Sequence, residues 1–304
     1  MAPLAQTLAL LAMAMATTAV DVIPLDMAPD SFDDQYQGCG TNMIAALPAL
    51  NHSEFQQNSL FAQAWLNATA EWQGQKYHVS SLSSPAQAIA LMAYTVKEKK
   101  LYKDFNDAVR VARCSNKEYR DNFHFKTLHF LLTQALVTLR QAQNGQCHNV
   151  YRGKRTHRFT AKPGDIIRFG QFSSASQSEK TAKRFGSATM FQVYTCHGAA
   201  IWNFSKYPNE KEVLIPPYET FEVIKVSQEG ERARIQLHSN GTFSKYNCEW
   251  LRGDAPGDRL RGWGHPLAVE MGLVCWMSGG WDPSWHFLNP CHHRSPAMAP
   301  PDST

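Results

Sequence analysis

An α+β fold is what this sequence predicts. Helical periodicity gathers before Cys147, while short apolar runs separated by Gly, Pro and Asn fill the region after it. A single helical pattern, residues 179–185, falls among those runs, and no internal repeat is present. Helices first and strands later argue against alternating βαβ units. The chain has 304 residues, enough for one large domain or two small ones, and 43% of them are hydrophobic, which allows a substantial core. Aromatic residues make up 11%, eight of them Trp, ample for packing or for stacking on a planar ligand.

Taken in order, the chain opens on an address. Residues 4–16 are almost wholly apolar, Gln6 and Thr7 excepted, and the small residues Thr17, Thr18 and Ala19 follow. This is the pattern of a secretory signal peptide, although no Lys or Arg precedes it. The run is too short for a stable bilayer span. Cleavage near Ala19 is expected, so residues 1–19 stand outside the fold.

Residues 21–50 mix Asp, Pro and Gly with short apolar pieces and read as irregular, tied down through Cys39. Residues 54–72 read as one helix, with Phe55, Leu60, Phe61 and Trp65 among its apolar positions. Ser84-Pro85 marks a helix start, because Pro is tolerated in the first turn. Residues 86–96 continue it, with Ile89, Ala90, Ala93 and Tyr94 at helical spacing. Residues 101–113 and 123–139 are further helices. In the second, Leu128, Leu131, Leu132, Ala135, Val137 and Leu139 predict a mostly buried element, ended by Asn144-Gly145.

Strands are expected at 150–152, 166–169, 188–195, 199–204, 213–215, 221–226, 233–237 and 242–248. Residues 251–304 are rich in Gly, Pro, Trp and His without a sustained period, and read as an irregular tail. The chain ends on polar residues. A GPI signal ends in a long hydrophobic tail, so release without a GPI anchor is the expectation.

The net charge of +4 is modest, and no Lys/Arg block is long enough for a nucleic-acid groove. The seven cysteines are Cys39, Cys114, Cys147, Cys196, Cys248, Cys275 and Cys291. None forms paired Cys-x-x-Cys motifs, which argues against structural zinc. In an oxidising compartment scattered cysteines form disulfides, and an odd count leaves at least one over. Acceptor triplets for N-glycosylation begin at Asn51, Asn67, Asn203 and Asn240.

Three local patterns could carry chemistry. Glu210 and Glu212 stand at the mouth of the apolar run 213–215. On extended backbone, side chains at i and i+2 face one way, so the two acids can reach one bound substrate and divide its chemistry. A solvated turn before a strand is the plainer reading of the same residues. Tyr151-Arg152-Gly153 places an Arg fork beside a residue with free backbone, suited to a phosphate or to an ordinary surface turn. The hydroxyl cluster of Ser173, Ser174 and Ser176 follows Phe169-Gly170-Gln171-Phe172. It could orient a sugar and a carboxylate, or could serve as a helix cap through Ser176 or Ser178. There is no Gly-x-Ser-x-Gly elbow, no Walker or Rossmann glycine loop and no metal-ligand spacing among the His residues.

Together, Arg152, the Ser cluster and Glu210-Lys211-Glu212 stand in the order arginine, serine, Glu-x-Glu. In this the chain resembles the vertebrate ecto-ADP-ribosyltransferases that modify arginine. The likeness extends from about Cys39 to Trp250. Tyr151-Arg152-Gly153, residues 167–172 and residues 210–219 carry it. The resemblance implies a split mixed β-sheet core with an N-terminal helical region, and a catalytic domain at residues 20–252 followed by a tail at 253–304, open to processing. It implies transfer of ADP-ribose from NAD, or from NADP, to arginine side chains of proteins or to small guanidino compounds, with nicotinamide released. Arg152 would bind NAD, with Tyr151, Gly153 and Gln171 around it. Ser174 would support the ribose and the catalytic glutamate, although Ser173 is open as the key hydroxyl, and Ala175 departs from the family's usual Thr or Ser. Glu212 would be catalytic, and Glu210 would direct transfer to arginine. The resemblance pairs Cys39 with Cys248 and Cys147 with Cys196. It implies no metal, a monomer, and, with the polar C-terminus, a protein that is secreted or held within secretory granules. An NAD glycohydrolase of the same fold and an inactive secreted binding protein are the alternatives.

Overall fold

A computed structural model describes residues 21–75, 81–96, 101–112 and 118–252. The expected signal peptide, the tail from 253 on, and Cys114, Cys275 and Cys291 lie outside the described residues.

The helices come first: α1 Gly40–Gln57, α2 Ser59–Gly74, α3 Pro85–Thr95, α4 Leu101–Val111 and α5 Lys126–Ala142, with a short π-helical turn at Glu118–Asn122. The segment expected to be irregular up to residue 50 is therefore helical from Gly40, with Pro48 accommodated inside α1. The single helix expected over 54–72 is two. Asn58 breaks it with φ −133° and ψ 87°, and its side chain caps α2 by accepting from the Phe61 N–H at 3.0 Å. Alternating apolar residues on both sides of such a break leave one unbroken pattern in the sequence. Helix α5 runs through the centre of the helical layer, with Leu128, Leu132, Ala135 and Leu136 wholly buried.

The strands are β1 Asp21–Pro24, β2 His148–Lys154, β3 His157–Thr160, β4 Ile166–Arg168, β5 Ser173–Ser176, β6 Thr189–Thr195, β7 Ala199–Ala200, β8 Glu212–Ile215, β9 Glu219–Glu229 and β10 Arg232–Thr242, with α6 Glu179–Arg184 between β5 and β6 and α7 Glu249–Arg252 at the end. β1 and β3 form a small parallel ribbon. The others form one mixed sheet in the order β4-β9-β10-β6-β2-β5-β8-β7, in which only β10 and β6 run parallel. The layout is α+β.

Two expected strands differ. Only Ala199–Ala200 of 199–204 pairs, and the chain then tightens into a 3₁₀ turn at Trp202–Phe204. Residues 243–248 are a loop, in which the N–H groups of Lys245 and Tyr246 go to Asp33 and that of Cys248 to Asp34 rather than to a strand.

The sheet is nearly divided in one place. β2 pairs with β6 along His148–Lys154, and β5 pairs with β8 along its whole length, but β2 meets β5 through one register pair, Tyr151 with Ser176. Strands that part leave side chains between them open to a ligand. Apolar residues of β2, β6, β8, β9 and β10 form one core cluster, and the helices form another with Phe172 and Leu214. Disulfides join Cys39 to Cys248 and Cys147 to Cys196, with Cα separations of 6.1 and 4.1 Å.

Candidate active site

The parting of β2 and β5 is where the sequence motifs meet. Side chains alternate along β2, so Val150, Arg152 and Lys154 share one face. Val150 belongs to the sheet core. Arg152 lies further along, where its Nη1 donates to the Ser174 carbonyl at 2.5 Å. Its Nε is enclosed and has no acceptor. Loss of water lowers the pKa of this guanidinium, the negative charge of Glu212 and the neighbouring Tyr94 oppose that shift, and Arg110 adds to it.

Tyr94, at the C-terminal end of α3, reports the whole arrangement. Its phenol is buried, donates to the Phe172 carbonyl at 3.1 Å and accepts from Asn106 Nδ2 at 3.1 Å. Burial pushes its pKa up to about 12; the Asn106 amide opposes the rise, the Glu212 charge reinforces it, and the Ser174 hydroxyl and Arg152 charge oppose it. One buried hydroxyl thus senses Arg152, Ser174 and Glu212 together.

In β5, Ser174 and Ser176 face away from Ala175, which enters the sheet core. Ser173 is fully buried, on the Ala175 side, with its hydroxyl 3.4 Å from the Gln171 carbonyl. Ser174 is therefore the serine placed beside Tyr94 and Arg152. Ser176 donates to the Glu210 carbonyl at 2.6 Å, and the helix cap of α6 falls to Ser178, which accepts from the Thr181 N–H.

The acid pair is not built as the sequence suggested. Glu212 opens β8, but Glu210 closes a 3₁₀ turn, Pro208–Glu210, and Lys211 between them is left-handed at φ 45° and ψ 53°. The alternation of an extended chain does not apply across that joint. Instead the end of β5 pins the segment: Ser176 holds the Glu210 carbonyl, Gln177 N–H donates to the Lys211 carbonyl at 3.2 Å, and Ser176 sits in register with Glu212. Both carboxylates are half-buried.

The glycine of Tyr151-Arg152-Gly153 has a different reason from the one expected. Gly153 lies within β2, in register with Met190, rather than at a turn. A Cβ there would sit 2.3 Å from the Gly186 carbonyl oxygen and 2.4 Å from that of Ala182. Its absence lets α6 close on β2. Tyr151 is half-buried on the same side. Gln171 is nearly buried, and its side-chain oxygen Oε1 accepts from Arg110 Nη1. It follows Gly170, which is left-handed at φ 62° and whose carbonyl accepts from Ser31 Oγ at 2.7 Å.

Sequence reasoning missed Tyr94, Asn106, Arg110 and Lys154. Tyr94 was legible only as one apolar position of a helix. Lys154 carried a signal, being two residues beyond Arg152 on a strand. Of the glycosylation candidates, Asn67, Asn203 and Asn240 are exposed, whereas Asn51 is half-buried in α1 with its side-chain oxygen enclosed. Among the described residues, no cluster of three or more His, Cys, Asp or Glu could hold a metal ion, and no helix is long and apolar enough to cross a membrane.

A family model described as NAD:arginine ADP-ribosyltransferase matches residues 25–245. The chain is 49% identical over 232 residues to an erythroblast NAD(P)(+)--arginine ADP-ribosyltransferase of Gallus gallus, covering 76% of this chain and 77% of the relative. It is 48% identical over 240 residues to the GPI-linked NAD(P)(+)--arginine ADP-ribosyltransferase 1 of Mus musculus, covering 75% and 74%. Among solved structures, the mono-ADP-ribosyltransferase ART2.2 is similar with a TM-score of 0.65 and 37% identity, over 74% of this chain and 98% of that one. A variant of ART2.2 has been solved in complex with NAD. The counterparts from Oryctolagus cuniculus and Homo sapiens are, like the mouse protein, named GPI-linked. That overturns the expectation of a secreted protein without an anchor. The expectation weighed only the polarity of the last residues, which lie outside the described part of the chain. By the family match, and by identity over three quarters of its length, the chain belongs to the NAD:arginine ADP-ribosyltransferases.

Proposed function

We propose that this protein transfers ADP-ribose from NAD to arginine side chains of proteins and releases nicotinamide. The observation that carries the reading is the convergence of Arg152, Ser174 and Glu212 on buried Tyr94, where β2 and β5 part. The family match supports it. NADP serves as a second co-substrate, in keeping with the relatives' names, and small guanidino compounds substitute for protein arginine.

The residues present suit the co-substrate. Arg152 offers an Nε that lacks an acceptor, in a setting withdrawn from water. It holds the diphosphate still, which removes orientational cost before the bond breaks. Gln171 lies on the far side of Arg110 from Asp107, while Tyr151 and Gly153, on the opposite face of β2, set the strand against α6 and so fix where Arg152 stands. Glu212 accepts a hydrogen bond from the nicotinamide-side ribose and stabilises positive charge as it develops at the anomeric carbon. The glycosidic C–N bond breaks and its electron pair leaves with nicotinamide. Ser174 holds the Glu212 carboxylate and the ribose in place. An arginine acceptor is protonated in water and must lose a proton as its nitrogen attacks. Glu210 draws in the guanidinium and takes that proton. With both glutamates present, neither simple NAD hydrolysis nor inert binding is favoured over transfer.

In organisation, residues 1–19 form a signal peptide, 20–252 the catalytic domain and 253–304 a C-terminal tail open to processing. The exposed Asn67, Asn203 and Asn240 are the acceptors for glycans. The catalytic domain acts as a monomer. The test uses labelled NAD with and without agmatine. Glu212→Gln removes both transfer and nicotinamide release, whereas Glu210→Gln loses transfer and retains hydrolysis. Equal loss of both activities in the Glu210 variant defeats the division of labour.

A further inference from the structure

Beside Arg152 stands a second pair of cations that the proposed chemistry leaves unused. Lys154 follows two residues along β2, on the Arg152 face, and its ammonium makes no hydrogen bond or ion pair among the described residues. Arg110 approaches from α4. Its Nη1 donates to Gln171 Oε1 and its Nη2 to Asp107 Oδ1. Asp107 is shared, since its other oxygen lies 2.6 Å from Lys103 Nζ. Arg110, Arg152 and Lys154 thus face Asp107 and Glu212, and one of those carboxylates is already divided between two cations. The pKa of Lys154 falls well below the usual lysine range, first because of Arg152, then because of burial and Arg110, with Asp107 as the opposing charge. Three cations set against two carboxylates, one of them shared with Lys103, lower stability. A fold keeps such a cluster for an anion that arrives later.

Arg110 also fixes Gln171. By donating to the amide oxygen, the guanidinium leaves the Gln171 amide nitrogen turned away from itself, as a donor. The cluster therefore presents donors and positive charge on one side, and the Nε of Arg152 without an acceptor.

We propose that Lys154 and Arg110 form a phosphate subsite next to Arg152, occupied by a phosphate group of the dinucleotide co-substrate. This rests on the reading of the site as a dinucleotide site. Two groups share the required chemistry, the diphosphate bridge of NAD and the 2′-phosphate of NADP. Lys154 supplies a compact, mobile charge and Arg110 a rigid fork already anchored by Gln171 and Asp107.

The experiment compares the full chain with Lys154→Met, which keeps the length of the side chain without its charge, and Lys154→Arg, which restores the charge. Nicotinamide release is followed with NAD and with NADP. Inhibition by nicotinamide riboside, which has no phosphate, serves as control, and the melting temperature of each variant is recorded. Lys154→Met should raise KM roughly tenfold with kcat little affected, the size expected for one charge-assisted hydrogen bond. Lys154→Arg should recover most of that loss. The melting temperature should stay level or rise, because repulsion is relieved. A rise in KM for both dinucleotides identifies the diphosphate, and a rise for NADP alone identifies the 2′-phosphate. An unchanged KM for both, or equal weakening of nicotinamide riboside, overturns the subsite. Calorimetric binding of inorganic pyrophosphate needs no turnover and separates the two readings. If the wild-type chain cleaves neither dinucleotide but Lys154→Met still weakens pyrophosphate, the enzymatic reading fails and the subsite stands. If pyrophosphate binds wild type and variant equally, the subsite fails.

Discussion

Arg168 and Arg152 belong to one sheet and are treated in opposite ways. Arg168, in β4, is wholly buried, and every one of its side-chain nitrogens has an acceptor. Its Nη1 lies 2.5 Å from Asp33 Oδ2 and 3.0 Å from the Phe243 carbonyl, its Nε bonds the Met27 carbonyl at 2.9 Å, and its Nη2 the Ala28 carbonyl at 3.1 Å. It ties the chain's first described segment and the loop after β10 onto the sheet. Arg152 meets one carbonyl, keeps an Nε without an acceptor, and has two further cations nearby. Both arginines lie in sequence motifs that carry the family likeness, so sequence alone gives them equal standing. The structure separates them: complete satisfaction marks a fastener, and a deficit of counter-charge marks a place for a ligand.

The largest effect should come from breaking the fastener. Arg168→Met leaves Asp33 buried without its cation and should cost about 3–5 kcal/mol in denaturant unfolding. A loss below about 1 kcal/mol would erase the contrast. Arg152→Gln should do the reverse, lowering nicotinamide release by roughly a hundredfold or more. Its unfolding free energy should stay within about 1 kcal/mol of the parent, the scale of one lost hydrogen bond. Comparable damage to stability from both variants would mean that Arg152 is a fastener too.

Between these stands the glycine that lets the site close. Gly153→Ala forces a methyl group against the carbonyls of Ala182 and Gly186 and should cost about 1–3 kcal/mol by overpacking. A neutral result in thermal melting would show that α6 does not rely on that close approach.

The smallest effect extends the comparison to a buried base satisfied only when neutral. His129 is fully buried in the helical core, with Nδ1 2.9 Å from the Tyr36 hydroxyl and Nε2 3.2 Å from the Phe32 carbonyl. Burial lowers its pKa to about 3, far below the usual histidine range. The unfolded chain then takes up the proton first, so stability falls as pH drops from about 6.5 towards 3. Between pH 7 and 5.5 the loss from this group should be about 1 kcal/mol. His129→Gln should flatten that part of the stability profile, and an unaltered acid slope would reassign it to other groups.

Much of this was legible in the sequence, for identifiable reasons. Helix α5 announced itself through a dense repeat of Leu, and β6, β8 and the β9–β10 pair through apolar runs with clear ends. The order of Arg152, the serines and the two glutamates was readable because strand motifs are local. Helix α1 was hidden because Pro48 and scattered polar residues blurred its period, and tertiary packing of Met43 and Leu50 overrode that local signal. β5 was hidden because four small residues show no alternation, although their pairing with β8 is complete. The left-handed Lys211 could not be seen, since nothing in a Lys side chain signals that backbone. Tyr94 and Arg110 join the site only through the packing of α3 and α4, a long-range event with no local trace, whereas Lys154 is local to Arg152 on β2.

The most direct test is a crystal structure of the Glu212→Gln protein with NAD bound. The account predicts the dinucleotide in the opening between β2 and β5, its diphosphate within ion-pair distance of Arg152 and its nicotinamide-side ribose against residue 212 and Ser174. A dinucleotide seated on another face of the sheet, with Arg152 remote from the diphosphate, would contradict it.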